Sequence, residues 1–241
     1  MSATDWTVIL RGMVGSHAYG LATPESDRDY LAFAMAPTEQ FLGMSPPVGK
    51  HATRVSHEPD LTVHELGKAC SLLLKCNPSV LELLWLDEYA VCTLTGADLI
   101  TLRHAFLSAR AVRNAFFGYA QSQFSRLVGR GDGTFSSDVR RRTAKHARHL
   151  HRLLHQGFEL YSTGTMTVRL ENPDACRAFG DIVANDPKHA PEVCASLLSR
   201  FEYQFDRTRP AIPEQPYIDT VERWLRSARR RAFVEVPITG A

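Results

Sequence analysis

Cysteine is scarce: the 241-residue chain has five, an odd number with no Cys-x-x-Cys pair. That argues against a disulfide framework and a structural zinc site, and points to a reducing compartment. Long apolar runs are missing too. Nothing approaches the roughly 20 residues of a membrane-spanning helix, and Asp5, close behind Met1, does not fit a charged-then-apolar leader. A cytoplasmic protein with no membrane partner is expected. Nor is there an excess of charge of one sign, since 28 Lys and Arg stand against 26 Asp and Glu. A net charge this small does not mark a polyanion binder, so distribution matters more than the total. The absence of repeats and low-complexity tracts removes solenoids and fibrous classes. What remains is an ordinary globular chain, 44% hydrophobic, long enough for one large domain or two small ones.

The most informative stretch is Gly15-Ser-His-Ala-Tyr-Gly-Leu-Ala-Thr-Pro-Glu-Ser-Asp-Arg-Asp29. The preceding apolar run from Trp6 to Leu10 reads as a strand, and Gly15-Ser16 as a sharp turn whose exposed N–H groups suit an anion. If Tyr30 to Ala36 is a second strand, Asp27 and Asp29 stand at its start with both carboxylates on one face. Two like charges that close need a cation. A hard divalent ion such as Mg²⁺ binds one or two carboxylates together with substrate phosphates, which points to a nucleotide as partner.

These residues resemble the nucleotidyltransferase superfamily that includes DNA polymerase β, whose signature is Gly-Ser, a spacer, then Asp-x-Asp. The extended string Gly-Ser-x-Ala-Tyr-Gly-Leu-Ala-Thr-Pro-x-Ser-Asp-x-Asp is similar to a predicted bacterial and phage family within it. A second string, Asp60-Leu-Thr-Val-His-Glu-Leu-Gly-Lys68, runs on through Leu-Leu-Lys75-Cys-Asn77-Pro78 to Leu-Glu82-Leu-Leu-Trp85 and also resembles that family. It supports Asp60 as the third acid, the one placed to help deprotonate an attacking hydroxyl, with Glu58 and Glu65 as alternatives. Asn77 reads first as the N-cap of a helix beginning at Pro78. Glu82, among leucines, either pairs with a cation or points outward.

After about residue 95 the chain reads as mainly helical, with helices expected over residues 98–130, 138–161, 173–185, 191–207 and 216–233. Residues 129–137 read as a glycine- and serine-rich hinge or lid. The second helix concentrates the positive charge. Lys145, His149 and Arg152 share one face, while Arg141, Arg148 and His155 form another stripe that reads as solvated. Phe201, Tyr203, Phe205 and Trp224 fall at core-like spacing, and the C-terminal arginines complement the last helix's dipole.

The resemblance implies an α+β fold: a polymerase β-like core with a small mixed sheet flanked by helices (residues 1–97), then a mainly helical substrate-binding domain (98–241). It implies Mg²⁺, as one ion or two with Mn²⁺ as a substitute, held by Asp27, Asp29 and Asp60. Nucleotide contacts are implied for Gly15, Ser16, Ser26, Arg28, Lys75, Asn77, Lys145, His149 and Arg152, with the last gripping the β and γ phosphates. The implied reaction moves a nucleoside monophosphate from a nucleoside triphosphate to a hydroxyl of RNA, protein or a small molecule. Two other classes fit some of the residues: a catalytically silent nucleotide-binding or antitoxin-like module, and an RNA-binding protein or nuclease using Arg141 and His146.

Overall fold

The computed structural model describes residues 6–128 and 137–233, so most of the expected 129–137 hinge lies outside the described residues. Five strands, β1 (Thr7–Val14), β2 (Asp29–Met35), β3 (Thr53–His57), β4 (Asp60–Glu65) and β5 (Val91–Cys92), form one mixed sheet in the order β3-β4-β2-β1-β5. β1 is antiparallel to β2 and β5, β2 is parallel to β4, and β3 is antiparallel to β4. The first strand outruns the apolar segment that announces it, because pairing with β2 continues to Val14 opposite Asp29. β3 and β5 leave little trace in the sequence: one is almost wholly exposed and the other is two residues long.

β2 is buried from Leu31 to Met35 because both of its faces are covered. Leu31, Phe33 and Met35 enter the main core, while Ala34 turns to a smaller cluster with Trp6 and Ala36. This large-and-small alternation follows from side chains pointing to opposite faces of a strand. The Arg54 guanidinium lies 4.0 Å from the Trp6 ring centre and covers that second cluster.

Nine helices are found among the described residues: α1 (Gly15–Tyr19), α2 (Leu66–Leu74), α3 (Pro78–Leu81), α4 (Leu94–Thr101), α5 (Ala109–Val128), α6 (Ser137–Thr163), α7 (Pro173–Asn185), α8 (Ala190–Arg207) and α9 (Ile218–Ala232). The single helix expected over residues 98–130 is three pieces, α4, a 3-10 turn at Arg103–Phe106, and α5. Leu107 is extended and the Ser108 hydroxyl accepts the Ala111 N–H, so the helix stops and is capped anew. Phe201 and Phe205 are core residues as expected, but Tyr203 is 61% exposed and faces outward.

α5 and α6 are in close contact at Gly157, where an added Cβ would collide with Cβ and Cγ of Phe116. Gly157→Ala should therefore cost about 1–3 kcal/mol by overpacking. A urea midpoint equal to that of the parent chain would show that the helices can separate freely there. α9 returns to the sheet, where Arg229 bonds Glu65 at 3.0 Å, stacks 3.9 Å from the Phe41 ring centre and receives the Thr38 hydroxyl on its carbonyl. That arginine has a specific partner in addition to the helix dipole. One cluster of buried side chains runs from Ile9 to Ala228 and joins the sheet to the helical half. No helix among the described residues is long and apolar enough to cross a membrane.

Candidate active site

The 14 residues between Val14 and Asp29 close on themselves, because these two end residues are paired across β1 and β2. Gly15 begins the one-turn α1 with φ of 71°, a left-handed conformation open to glycine at little cost. A Cβ there would lie 2.6 Å from Oδ2 of Asp29, so the backbone passes directly against that carboxylate. The turn expected at Gly15-Ser16 is thus an entry into a short helix. Inside the loop, the Ser26 hydroxyl accepts the Thr23 N–H at 2.9 Å and the Ser26 carbonyl contacts Nε2 of His17 at 3.1 Å. Ser26 holds the loop shut through these contacts.

Asp29 opens β2 and Asp60 opens β4. The parallel register of Tyr30 with Leu61 sets the two acids side by side at the same end of the sheet. Burial raises the Asp29 carboxyl above the ordinary carboxylate value; Asp60 and then Asp27 raise it further, while Lys145 and His17 pull it back. The three expected acids, and Lys145 from α6, therefore act on one spot. Glu65 is ruled out as the third acid because it caps α2 through the Gly67 N–H, pairs with Arg229 and sits at the opposite end of β4. Glu58 is an exposed residue of the hairpin joining β3 to β4.

The acids offer only oxygen donors, and the burial and like charge that Lys145 and His17 offset only in part at Asp29 are what a divalent cation would neutralise. The donor set fits Mg²⁺ or Mn²⁺. Among the described residues no three His, Cys, Asp or Glu stand close enough to hold an ion as placed. Ligation would draw the carboxylates together.

Arg152 corrects the expectation drawn from its stripe. Its side chain is 5% exposed, lies 3.6 Å from Oε2 of Glu82, donates to Oε1 of Gln156 at 2.7 Å and stacks 3.8 Å from the Tyr19 ring centre. It is thus shut away from an open cleft. Glu82, equally buried, accepts the Tyr19 hydroxyl at 2.6 Å, and the Gly15 backbone lies near enough to favour its ionised form. Burial raises the Glu82 carboxyl, and Arg152 opposes that rise. Gln156 completes the chain by donating to the carbonyls of Thr167 and Val168. The glycine turn is consequently anchored from behind by a buried polar network reaching from α1 through Glu82 to α6.

Of the two alternatives for Glu82, pairing with a cation is the one found, but its partner Arg152 and the links to Tyr19 and Gln156 are not foreseen in the sequence. One signal existed: a lone acid within Leu81-Glu82-Leu83-Leu84 and a lone cation before Leu153-Leu154 each need a buried partner.

Lys145 is exposed, whereas His149 is half-buried and pushed down to about 3, chiefly by desolvation and then by Arg152 and Lys145. His149 is therefore a neutral ring at pH 7. Arg28 and Lys75 are exposed. Asn77 occupies the N-cap position of α3 without a side-chain cap bond, and its Nδ2 donates instead to the Tyr119 hydroxyl on α5 at 2.8 Å. Arg141 pairs with Asp138, while His146 contacts Gln123 at 2.7 Å, so these two residues are engaged by different partners.

Gly15→Ala tests the closeness of turn and acid. The substitution should cost about 1–2 kcal/mol from the left-handed backbone alone. It should also displace the Asp29 carboxylate, so that the nucleotidyl transfer the resemblance implies falls more than stability does. Unchanged melting and unchanged transfer would remove the contact as a constraint.

A mixed sheet with acids at the starts of adjacent strands, a glycine turn against them and a helical half behind defines a DNA polymerase β-like nucleotidyltransferase fold. The family model RlaP, described as the RNA repair pathway DNA polymerase beta family, matches residues 1–174, and the chain belongs to that family. No curated protein matches the chain.

Proposed function

We propose that this chain is a divalent-metal-dependent nucleotidyltransferase that transfers a nucleoside monophosphate from a nucleoside triphosphate to a hydroxyl at an RNA end. The observation that carries the reading is the joint action of Asp27, Asp60 and Lys145 on Asp29, beside the Gly15 turn. The RNA acceptor rests on the family description.

When bound, Mg²⁺ or Mn²⁺, as one ion or a pair on Asp27, Asp29 and Asp60, supplies charge neutralisation and polarisation at the triphosphate. The remaining work belongs to the chain. The backbone N–H and hydroxyl of Ser16 donate to phosphate oxygens, and Lys145 extends its ammonium from α6 toward the same anion. Arg28 and Lys75 are exposed cations available to the triphosphate tail. Ser26, Asn77 and His149 shape the walls around it, and Arg152 acts through Glu82 on Gly15 instead of gripping phosphate. Asp60 accepts the proton of the acceptor hydroxyl as its oxygen bonds the α-phosphorus. The bond from that phosphorus to the α–β bridging oxygen breaks, and pyrophosphate leaves with the electron pair.

The test is incubation of the chain with each α-³²P-labelled nucleoside triphosphate, Mg²⁺ or Mn²⁺, and an RNA oligonucleotide with free terminal hydroxyls. Label on the RNA with the parent chain, and none with Asp27→Asn/Asp29→Asn, is the expected result. Nucleotide binding without transfer to RNA, or to anything in a cell extract, would instead assign the chain to the silent binding class.

A further inference from the structure

Strand alternation does not place Asp27. β2 begins at Asp29, and Asp27 stands exposed in the loop before it. A loop carboxylate left free would have to give up backbone and side-chain freedom to meet a cation together with its neighbour. Two residues of α1 supply the restraint that the strand does not. Gly15 sets its backbone against the Asp29 carboxylate. His17, half-buried, lies near enough to Asp29 to draw that carboxyl back down, while its Nε2 meets the Ser26 carbonyl at 3.1 Å. A carbonyl only accepts, so Nε2 is the donor. That carbonyl belongs to the peptide bond joining Ser26 to Asp27. Because the peptide is planar, gripping its oxygen fixes the plane from which the Asp27 backbone departs. The bonds of Leu21 to the Ser16 carbonyl and of Thr23 to the Ser26 hydroxyl shape the turn itself. α1 is pinned in turn at its far end: the Tyr19 hydroxyl bonds Glu82, the Tyr19 carbonyl accepts the Leu170 N–H, and the Gly20 carbonyl accepts from Arg177. His17 therefore reaches for the loop from a fixed base.

We propose that His17 is a positioning residue for the metal site: by holding the Ser26–Asp27 peptide with its Nε2–H, it keeps the Asp27 carboxylate beside that of Asp29 so that the two can share a divalent cation. This role rests on Asp27 and Asp29 being metal ligands. It requires an N–H donor at the reach of Nε2, and neither a positive charge nor an aromatic ring. Gln carries such a donor at the same bond separation from Cα, whereas the Asn amide falls a bond short. The two amides therefore separate the hydrogen bond from the other properties of histidine.

The test is Mn²⁺ binding to the full chain without nucleotide, read from loss of the free-ion EPR signal. His17→Leu and His17→Asn should each weaken binding about tenfold or more, the usual cost of losing a group that orients a metal ligand. His17→Gln should bind close to the parent. In an Asp27→Asn background His17→Leu should add little, because the carboxylate that His17 positions is already gone. Metal-free melting curves show that each variant is folded, and His17→Asn carries the comparison if leucine is not accommodated. Parent-like binding by both His17→Leu and His17→Asn, an equal loss in His17→Gln, or a full further loss in the Asp27→Asn background overturns the role of His17. Equal binding by the parent and by Asp27→Asn alone overturns instead the reading of Asp27 as a ligand, and the positioning role with it.

Discussion

Asp29→Asn should lower nucleotidyl transfer by about 10³-fold or more, roughly 4 kcal/mol of transition-state stabilisation, while making the metal-free chain more stable. The two halves of that expectation share a cause. Asp29 is raised by burial, then by Asp60 and Asp27, so its ionised form is disfavoured in the folded state. A carboxyl whose folded pKa lies above its unfolded value binds its proton more tightly when folded. Stability is then greatest at low pH and is withdrawn as pH rises from the unfolded value through the folded one. At pH 7 the ionised group opposes folding unless a cation sits beside it. Asn has the same shape without the charge, so the variant should melt higher than the parent at pH 7, and the gap should close at acidic pH. Added Mg²⁺ should raise the parent's Tm and leave that of the variant nearly unchanged. Melting curves with and without Mg²⁺ at two pH values, together with α-³²P transfer, give all three readouts. A variant that transfers label at the parent's rate would sink the role assigned to Asp29.

Arg152→Met should be the most destabilising single substitution in the buried network, at about 3–5 kcal/mol. It strands Glu82, which is 3% exposed, among leucines with the Tyr19 hydroxyl as its remaining hydrogen-bond partner. Glu82 is already raised by burial, and losing Arg152 raises it further. The variant should therefore lose stability as pH climbs through the carboxylate range and beyond, for the same linkage reason as at Asp29. The double substitution Glu82→Gln/Arg152→Met removes the stranded charge and should recover most of the loss, because contacting residues couple strongly in such cycles. Urea denaturation at pH 5 and pH 8 checks both statements. Equal costs for the single and double variants would mean that the ion pair is not what Arg152 contributes.

The acid pair is readable in the sequence because its residues are local, but β2 begins only at Asp29 and Asp27 lies in the loop before it, so strand alternation does not place the two carboxylates as expected. Asp60 was legible through the string that follows it, although Glu58 and Glu65 lay within reach of the same argument. The parallel register of β2 with β4 decided between them by setting Asp60 beside Asp29 and carrying Glu65 to the far end of the strand. Arg152 was misread for the converse reason. Helical spacing puts it on a face with Lys145 and His149, but spacing does not say how deep each position lies. Lys145, two turns nearer the N-terminus of α6, stays exposed, whereas Arg152 sinks onto Tyr19 and Glu82. Asn77 shows the same limit, occupying the cap position while its amide bonds Tyr119 on a distant helix.

By itself, then, the sequence determined the class of the fold, the acid pair with its glycine turn, and the concentration of positive charge on α6. Each of these depends on residues within a few positions of one another, where backbone geometry fixes what can meet. The tertiary structure alone decided which acid stands beside Asp29, which basic residue of α6 stays exposed and which is buried, and that Glu82 ties α6 to α1. Those outcomes depend on residues about 30 to 160 positions apart brought within a few ångströms by strand register and helix packing, and no linear pattern encodes a distance of that kind.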